Sequence, residues 1–245
     1  MAQLDSAAGF YPVGCRFDSY RGHQKHLSLW RVFSFCRRMR VVVQAGRMQV
    51  LPPTDEAVQA AVRVLHAGGV IVYPTDTVYG LGADATNADA VALVRRIKGR
   101  DAAKPILAMV ADLPMLEAYA EMTPLARRLA EAYLPGPLSL VLAVRGEALA
   151  PVASVDGSAG FRLPDQPFCR AVAAAFGRPV TSTSVNRSGE PQARDIQNML
   201  AQLGEHARDI SLIVDAGTLP LRPPSTIVDA RGTEPVVLRA GGISL

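Results

Sequence analysis

The chain has 245 residues, 49% of them hydrophobic, and a net charge of +4. That length and apolar content support a real hydrophobic core and exclude a disordered chain. No apolar run approaches the ~20 residues needed to span a bilayer, which excludes a membrane helix. The charge is unevenly placed. Residues 1–47 carry eight Arg or Lys against two acids, a balance of +6, and the rest carries 18 basic against 20 acidic residues, a balance of −2. The basic character therefore belongs to the first segment, and an anion site in the remainder must be a local cluster.

In chain order, residues 1–47 show no sustained helical or strand period. Three readings stand: an Arg-rich transit peptide, a basic tail for RNA, or translated upstream sequence with Met48 or Met39 as the natural start. The third is favoured, because an orderly pattern starts directly after Met48. Thr54 with Asp55 and Glu56 reads as an N-cap and acidic first turn. Val58, Ala61, Val62 and Leu65 form one apolar helical face, which Gly68 and Gly69 end. Val70 to Tyr73 is a short buried strand. Asn87 caps a second helix, 106–110 reads as a strand, and Thr123 with Pro124 opens a helix to about Tyr133. A strand at 138–144, a helix at 167–176 and a strand at 180–183 follow. Asp195 opens a short helix, and strands at 212–214, 226–228 and 236–238 close the chain. Alternation first and strands later predict one α/β domain over 48–245, with a mixed sheet and flanking helices.

Four segments carry the chemistry. Pro74 to Gly82 (Pro-Thr-Asp-Thr-Val-Tyr-Gly-Leu-Gly) follows a buried strand, a common place for a ligand loop. It equally suits a turn whose glycines need positive φ. Lys98, Arg100 and Lys104 include two of only three lysines in the chain, and they cluster enough cations for a polyphosphate. A solvated helix end is the bland reading. Ser182 to Gly189 offers four hydroxyls and an amide for phosphate oxygens or a base edge, or else an Asx or Ser turn. Arg162 sits in an apolar strand and needs an anionic partner, either structural or a ligand carboxylate. Beyond residue 47 only Cys169, His66 and His206 remain of their kinds. A disulfide, a Ser-His-Asp triad or a His/Cys metal site is therefore not expected. Cys169 reads as a buried apolar residue. No Walker A or G-x-G-x-x-G motif stands after a strand.

From about Val50 to the C-terminus these segments resemble the YrdC-like family of threonylcarbamoyl-AMP synthases, short single-domain type. The resemblance rests on the 74–82 loop and on Lys-x-Arg (Lys98, Arg100) paired with Ser-x-Asn (Ser184, Asn186). Pro135 to Ser139, Arg162 to Pro164, Ser225 to Asp229 and Leu238 to Gly241 add to it. It implies a twisted open mixed sheet around a positively lined cavity. It implies that Thr77, Arg162, Ser182 and Ser225 bind threonine, with Arg162 on its carboxylate. It implies that Arg100, Lys104, Ser158, Ser184 and Arg239 bind ATP, and that Lys98, Arg100, Ser184 and Asn186 form the catalytic signature. The implied reaction joins L-threonine, bicarbonate and ATP, with Mg2+ brought by the nucleotide and no protein-bound metal. The product would pass to a tRNA threonylcarbamoyl transferase complex in the cytoplasm, with tRNA contact and no membrane. Two departures stand at Met109 and Gln192, where longer relatives often carry His and Ser. The alternative is a double-stranded RNA or tRNA-binding module of the same fold, which the −2 balance disfavours.

Overall fold

A computed structural model of the chain describes residues 48–101 and 104–245. The expectations for residues 1–47 fall outside them. Helix α1 (Asp55–His66) begins where Thr54 Oγ1 accepts the Ala57 amide at 3.4 Å. It buries Ala57, Val58, Ala61 and Leu65. Helix α2 (Ala88–Lys98) begins at Asn87, whose side chain accepts from the amides of Asp89 and Ala90, and stops at Gly99 with φ 58°. That left-handed residue lets the chain turn sharply after Lys98. Helices α3 (Leu113–Tyr119), α4 (Pro124–Tyr133), α5 (Pro167–Phe176) and α6 (Ile196–Leu203) follow. Helices α3, α4 and α5 have a proline in their first turn, and α6 is capped by Asp195.

Among the described residues ten strands form one mixed sheet: β1 (Gln49–Leu51), β2 (Val70–Pro74), β3 (Tyr79–Gly82), β4 (Leu107–Met109), β5 (Leu138–Ala143), β6 (Ser158–Arg162), β7 (Val180–Ser184), β8 (Ile210–Val214), β9 (Thr226–Asp229) and β10 (Val236–Arg239). Their order is β1-β8-β2-β3-β7-β4-β6-β5-β9-β10. Alternation along β2 sends Val70 and Val72 into one core, shared with α2, α4 and α6, and Ile71 and Tyr73 into another, shared with α1 and α5. Each fully buried aliphatic or aromatic side chain contributes roughly 1.5–3 kcal/mol. Helices on both faces thus hold the sheet as a rigid frame. Among the described residues no helix is long and apolar enough to cross a membrane.

One expectation changes here. Residues 79–82 are not loop but strand β3, antiparallel to β2 with Tyr73 opposite Gly80 and Ile71 opposite Gly82. The two glycines are absent from the positive-φ positions. They make room instead: a Cβ on Gly82 would lie 2.7 Å from Tyr73 Cε1, and one on Gly80 would lie 3.1 Å from Tyr73 Cζ. The ring lies across the glycines, so the hairpin packs closely and its turn shortens to 75–78.

Candidate active site

Strand β7 lies between β3 and β4 and pairs with both. Val180 to Ser182 pair with β4, and Thr183 and Ser184 pair with β3. A cavity of about 300 Å3 opens along Ser182, Thr183 and Ser184, within the range of small-ligand sites. The β2–β3 turn, β6, the end of α2 and β9–β10 supply the other walls.

Thr75 shapes the turn. Its hydroxyl donates to the Val78 carbonyl at 2.6 Å and accepts from the amides of Thr77 and Val78 at 3.1 Å. This carries Asp76 and Thr77 to Arg162 on β6. Arg162 Nη2 donates to Asp76 Oδ1 at 2.6 Å and to Thr77 Oγ1 at 3.0 Å. The two charged side chains are 6% and 5% exposed, so water screens the pair little. The buried arginine therefore has its counter-charge inside the protein. Its Nε is buried without a hydrogen-bond partner among the described residues, and the residue lines the cavity.

The expected cluster of three cations separates. Arg100 lines the cavity, with Nη2 donating to the Pro105 carbonyl at 2.9 Å. Burial, then the nearby Arg95 charge, lowers its pKa. Lys104 is exposed and is not part of the wall. Lys98 is buried behind the wall. Its Nζ donates to the Ser184 carbonyl, and to Asn186 O and Oδ1 at 3.0 Å each. Burial, then the Arg100 charge, lowers the Lys98 pKa to about 8. Asn186 is also buried, and its Nδ2 donates to the carbonyls of Glu190 at 2.6 Å and Arg187 at 3.1 Å. The Lys98–Asn186 pair thus clamps the 184–190 segment onto the end of α2, and Ser188 N adds a bond to Lys98 O at 2.9 Å.

Arg239 closes the far wall. It donates to the Ser225 carbonyl at 2.7 Å and to Ser225 Oγ at 3.0 Å, and Ser139 Oγ lies 2.9 Å from the same hydroxyl. Burial, then the Arg162 charge, lowers the Arg239 pKa. Thr77, Ser158, Ser182, Ser184 and Ser225 all line the cavity. So eight of the expected site residues meet at one cavity, and Lys98, Asn186 and Lys104 do not line it. Three guanidinium groups face a space whose described lining contains no acidic side chain. Such a site suits a ligand with more than one anionic group.

Sequence reasoning passed over Asp76, Ser139 and Asp156. Asp76 lies inside a quoted motif, but its partner is 86 residues away. Ser158 donates to Asp156 Oδ1 at 2.6 Å, a contact within a three-residue turn that the spacing alone signals. Of the two departures, Met109 is fully buried in the smaller core and off the cavity wall, whereas Gln192 lines the cavity. Cys169 is buried as expected, its thiol donating to the Pro74 carbonyl at 3.2 Å, and burial pushes its pKa up.

Comparison with known proteins fits this geometry. Residues 63–241 match the Sua5/YciO/YrdC family, described as telomere recombination. The chain is 34% identical over 196 residues to a threonylcarbamoyl-AMP synthase of Bacillus subtilis, covering 79% of this chain and 56% of that protein. It is 36% identical over 189 residues to a threonylcarbamoyl-AMP synthase of Vibrio cholerae, covering 76% of this chain and 98% of the relative. The P. abyssi Sua5 structure complexed with L-threonine superposes with a TM-score of 0.70 at 28% identity, over 80% of this chain and 58% of that one. The chain thus spans little more than half of the B. subtilis and P. abyssi proteins, and nearly all of the V. cholerae one. With a matched span of 63–241 and a relative aligned almost end to end, the chain belongs to the Sua5/YciO/YrdC family.

Proposed function

We propose that this chain is an L-threonylcarbamoyladenylate synthase, a nucleotidyltransferase that converts L-threonine, bicarbonate and Mg-ATP to threonylcarbamoyl-AMP and pyrophosphate. The observation that carries the reading is the placement of Arg100, Arg162 and Arg239 on one cavity without a lining carboxylate. The substrates bring a carboxylate and a triphosphate, and the product keeps a carboxylate and one phosphate. Relatives that carry the synthase name, and a neighbour that holds L-threonine, support the same reading.

In this scheme threonine occupies the end of the cavity formed by Thr77, Arg162, Ser182 and Ser225. Arg162 meets its carboxylate through the nitrogens that Asp76 and Thr77 leave uncovered. The threonine amine adds to CO2 derived from bicarbonate, losing one proton, to give a carbamate. A carbamate oxygen then forms a bond to the α-phosphorus of ATP. The bond from that phosphorus to its bridging oxygen breaks, and pyrophosphate departs. Arg100 and Arg239 offset the charge that grows on the phosphates, with Lys104 over the outer end of the triphosphate. Lys98 and Asn186 act from behind, holding Ser184 in place. Fixed dipoles and cations in a small cavity act with little reorganisation, which is where most of the rate gain arises. The product would go to a tRNA threonylcarbamoyl transferase in the cytoplasm. Mass spectrometry of the full chain incubated with threonine, [13C]bicarbonate and Mg-ATP should show a threonine-containing adenylate carrying the label. Its absence from a reaction that consumes ATP would refute the proposal.

A further inference from the structure

Ser139 is the single polar side chain of strand β5. Leu138, Leu140 and Leu142 alternate into the larger core, so Ser139 and Val141 face the other side of the sheet. Val141 lines the cavity there, whereas Ser139 is fully buried and stands off its wall. In register, Ser139 lies between Arg162 on β6 and Ile227 on β9. Directly opposed residues share a face, so a sealed hydroxyl sits beside the buried arginine of the cavity.

A buried hydroxyl is costly unless it is hydrogen-bonded. Among the described residues the one partner of Ser139 Oγ is Ser225 Oγ at 2.9 Å, and distance alone allows either to donate. Counting protons settles the direction. Each hydroxyl has one proton and two lone pairs. Arg239 Nη2 can only donate, and it gives a proton to Ser225 Oγ at 3.0 Å. In either arrangement one serine proton then lacks a protein acceptor among the described residues. If Ser225 donates, the stranded proton is that of Ser139, sealed inside the sheet. If Ser139 donates, it is that of Ser225, which lines the cavity, where a ligand oxygen can accept it. A buried donor left unserved is the costlier defect, so Ser139 donates. Both lone pairs of Ser225 Oγ are filled, and its own proton is left for the cavity.

Resting on the synthase reading above, we propose that Ser139 is a positioning residue for threonine. Its hydrogen bond fixes the Ser225 hydroxyl so that the proton faces the amino acid, where a carboxylate or hydroxyl oxygen accepts it. Ser139 itself does not touch the substrate. Arg162 on β6 and Ser225 at the start of β9 thereby present aligned donors from the two sides of β5.

The test is the rate of pyrophosphate release with threonine varied at saturating bicarbonate and Mg-ATP, together with calorimetric ATP binding and a melt of each variant. Ser139→Ala should raise the threonine KM about fivefold, the effect of one hydrogen bond, with kcat and ATP affinity within about twofold of wild type. Ser139→Thr restores the donor and should return KM to within about twofold. On a Ser225→Ala background the Ser139→Ala increment should vanish, because no hydroxyl remains to be held. Ser139→Cys keeps the volume but offers only a weak S–H donor. It should raise KM by at least about threefold, and it decides the matter should Ser139→Ala fail to fold. An unchanged threonine KM in the Ala and Cys variants, an equal loss of ATP affinity, or an increment that survives in full on Ser225→Ala overturns the inference and leaves the synthase reading intact. Pyrophosphate release by the wild type that ignores threonine overturns both.

Discussion

Replacing Asp76 with Ala tests the buried pair that anchors the cavity. In the native protein Arg162 Nη2 and Asp76 Oδ1 are 2.6 Å apart, with both side chains almost fully covered. Removing the carboxylate leaves a buried guanidinium with Thr77 as its one remaining partner among the described residues, where its Nε already has none. Stranding one member of a buried pair costs about 3–5 kcal/mol. In a domain of this size each kcal/mol moves the melting temperature by ~2–4 °C, so a fall of roughly 6–20 °C is expected. Urea unfolding followed by circular dichroism, with a thermal melt alongside, measures both quantities. Arg162→Met should be destabilising too, and the double variant should lose clearly less than the two single losses combined. A loss below about 1 kcal/mol for Asp76→Ala, or additive single losses, would refute the pairing as a structural anchor.

Three further outcomes follow from named contacts. Arg100→Ala should lower turnover by about 10²–10³, the usual effect of removing one oriented donor from a developing charge, with stability changed by less than ~1 kcal/mol; steady-state kinetics and a melt check this together. Lys98 has a folded pKa of about 8 against an ordinary 10.5. Between those values the unfolded chain holds more protons, so the Lys98 contribution to stability rises as pH rises through the window, by on the order of 3 kcal/mol. Cys169, with its thiol pKa raised, works in the opposite sense at alkaline pH. The Lys98 effect is therefore read as the difference between wild type and Lys98→Met, which should lose the rise. Gly82→Ala would place a methyl 2.7 Å from Tyr73 Cε1 and 2.9 Å from Ile71 Cγ1. Overpacking of that kind costs about 1–3 kcal/mol, measurable by urea unfolding.

Local chemistry made much of the fold legible. Thr54, Asn87, Thr123 and Asp195 each announce a helix, and each caps one. These signals lie within four residues of the structure they dictate, so one sequence suffices to read them. Strand β3 was hidden because Gly80 and Gly82 weaken any strand pattern, and their reason lies in a ring on the neighbouring strand. Helix α3 and strand β1 are seven and three residues long, too short for a period to show. At the site, residue types were legible but their partners were not. Arg162 visibly needed an anion, yet Asp76 is 86 positions away. Lys98 read as a phosphate-facing cation, and only the fold reveals that Ser184 and Asn186 take up its donors. The direction of the Ser225 hydroxyl likewise depends on neighbours, which composition cannot supply.

In the proposed reaction three arginines on one cavity serve the transfer of AMP from ATP to the carbamate of threonine. Pyrophosphate release by the full chain in Mg-ATP measures it most directly, with threonine and bicarbonate each added or omitted. Release is expected only when all three substrates are present, and it should collapse in Arg162→Ala. Release that continues without threonine, or that is indifferent to Arg162, would contradict it.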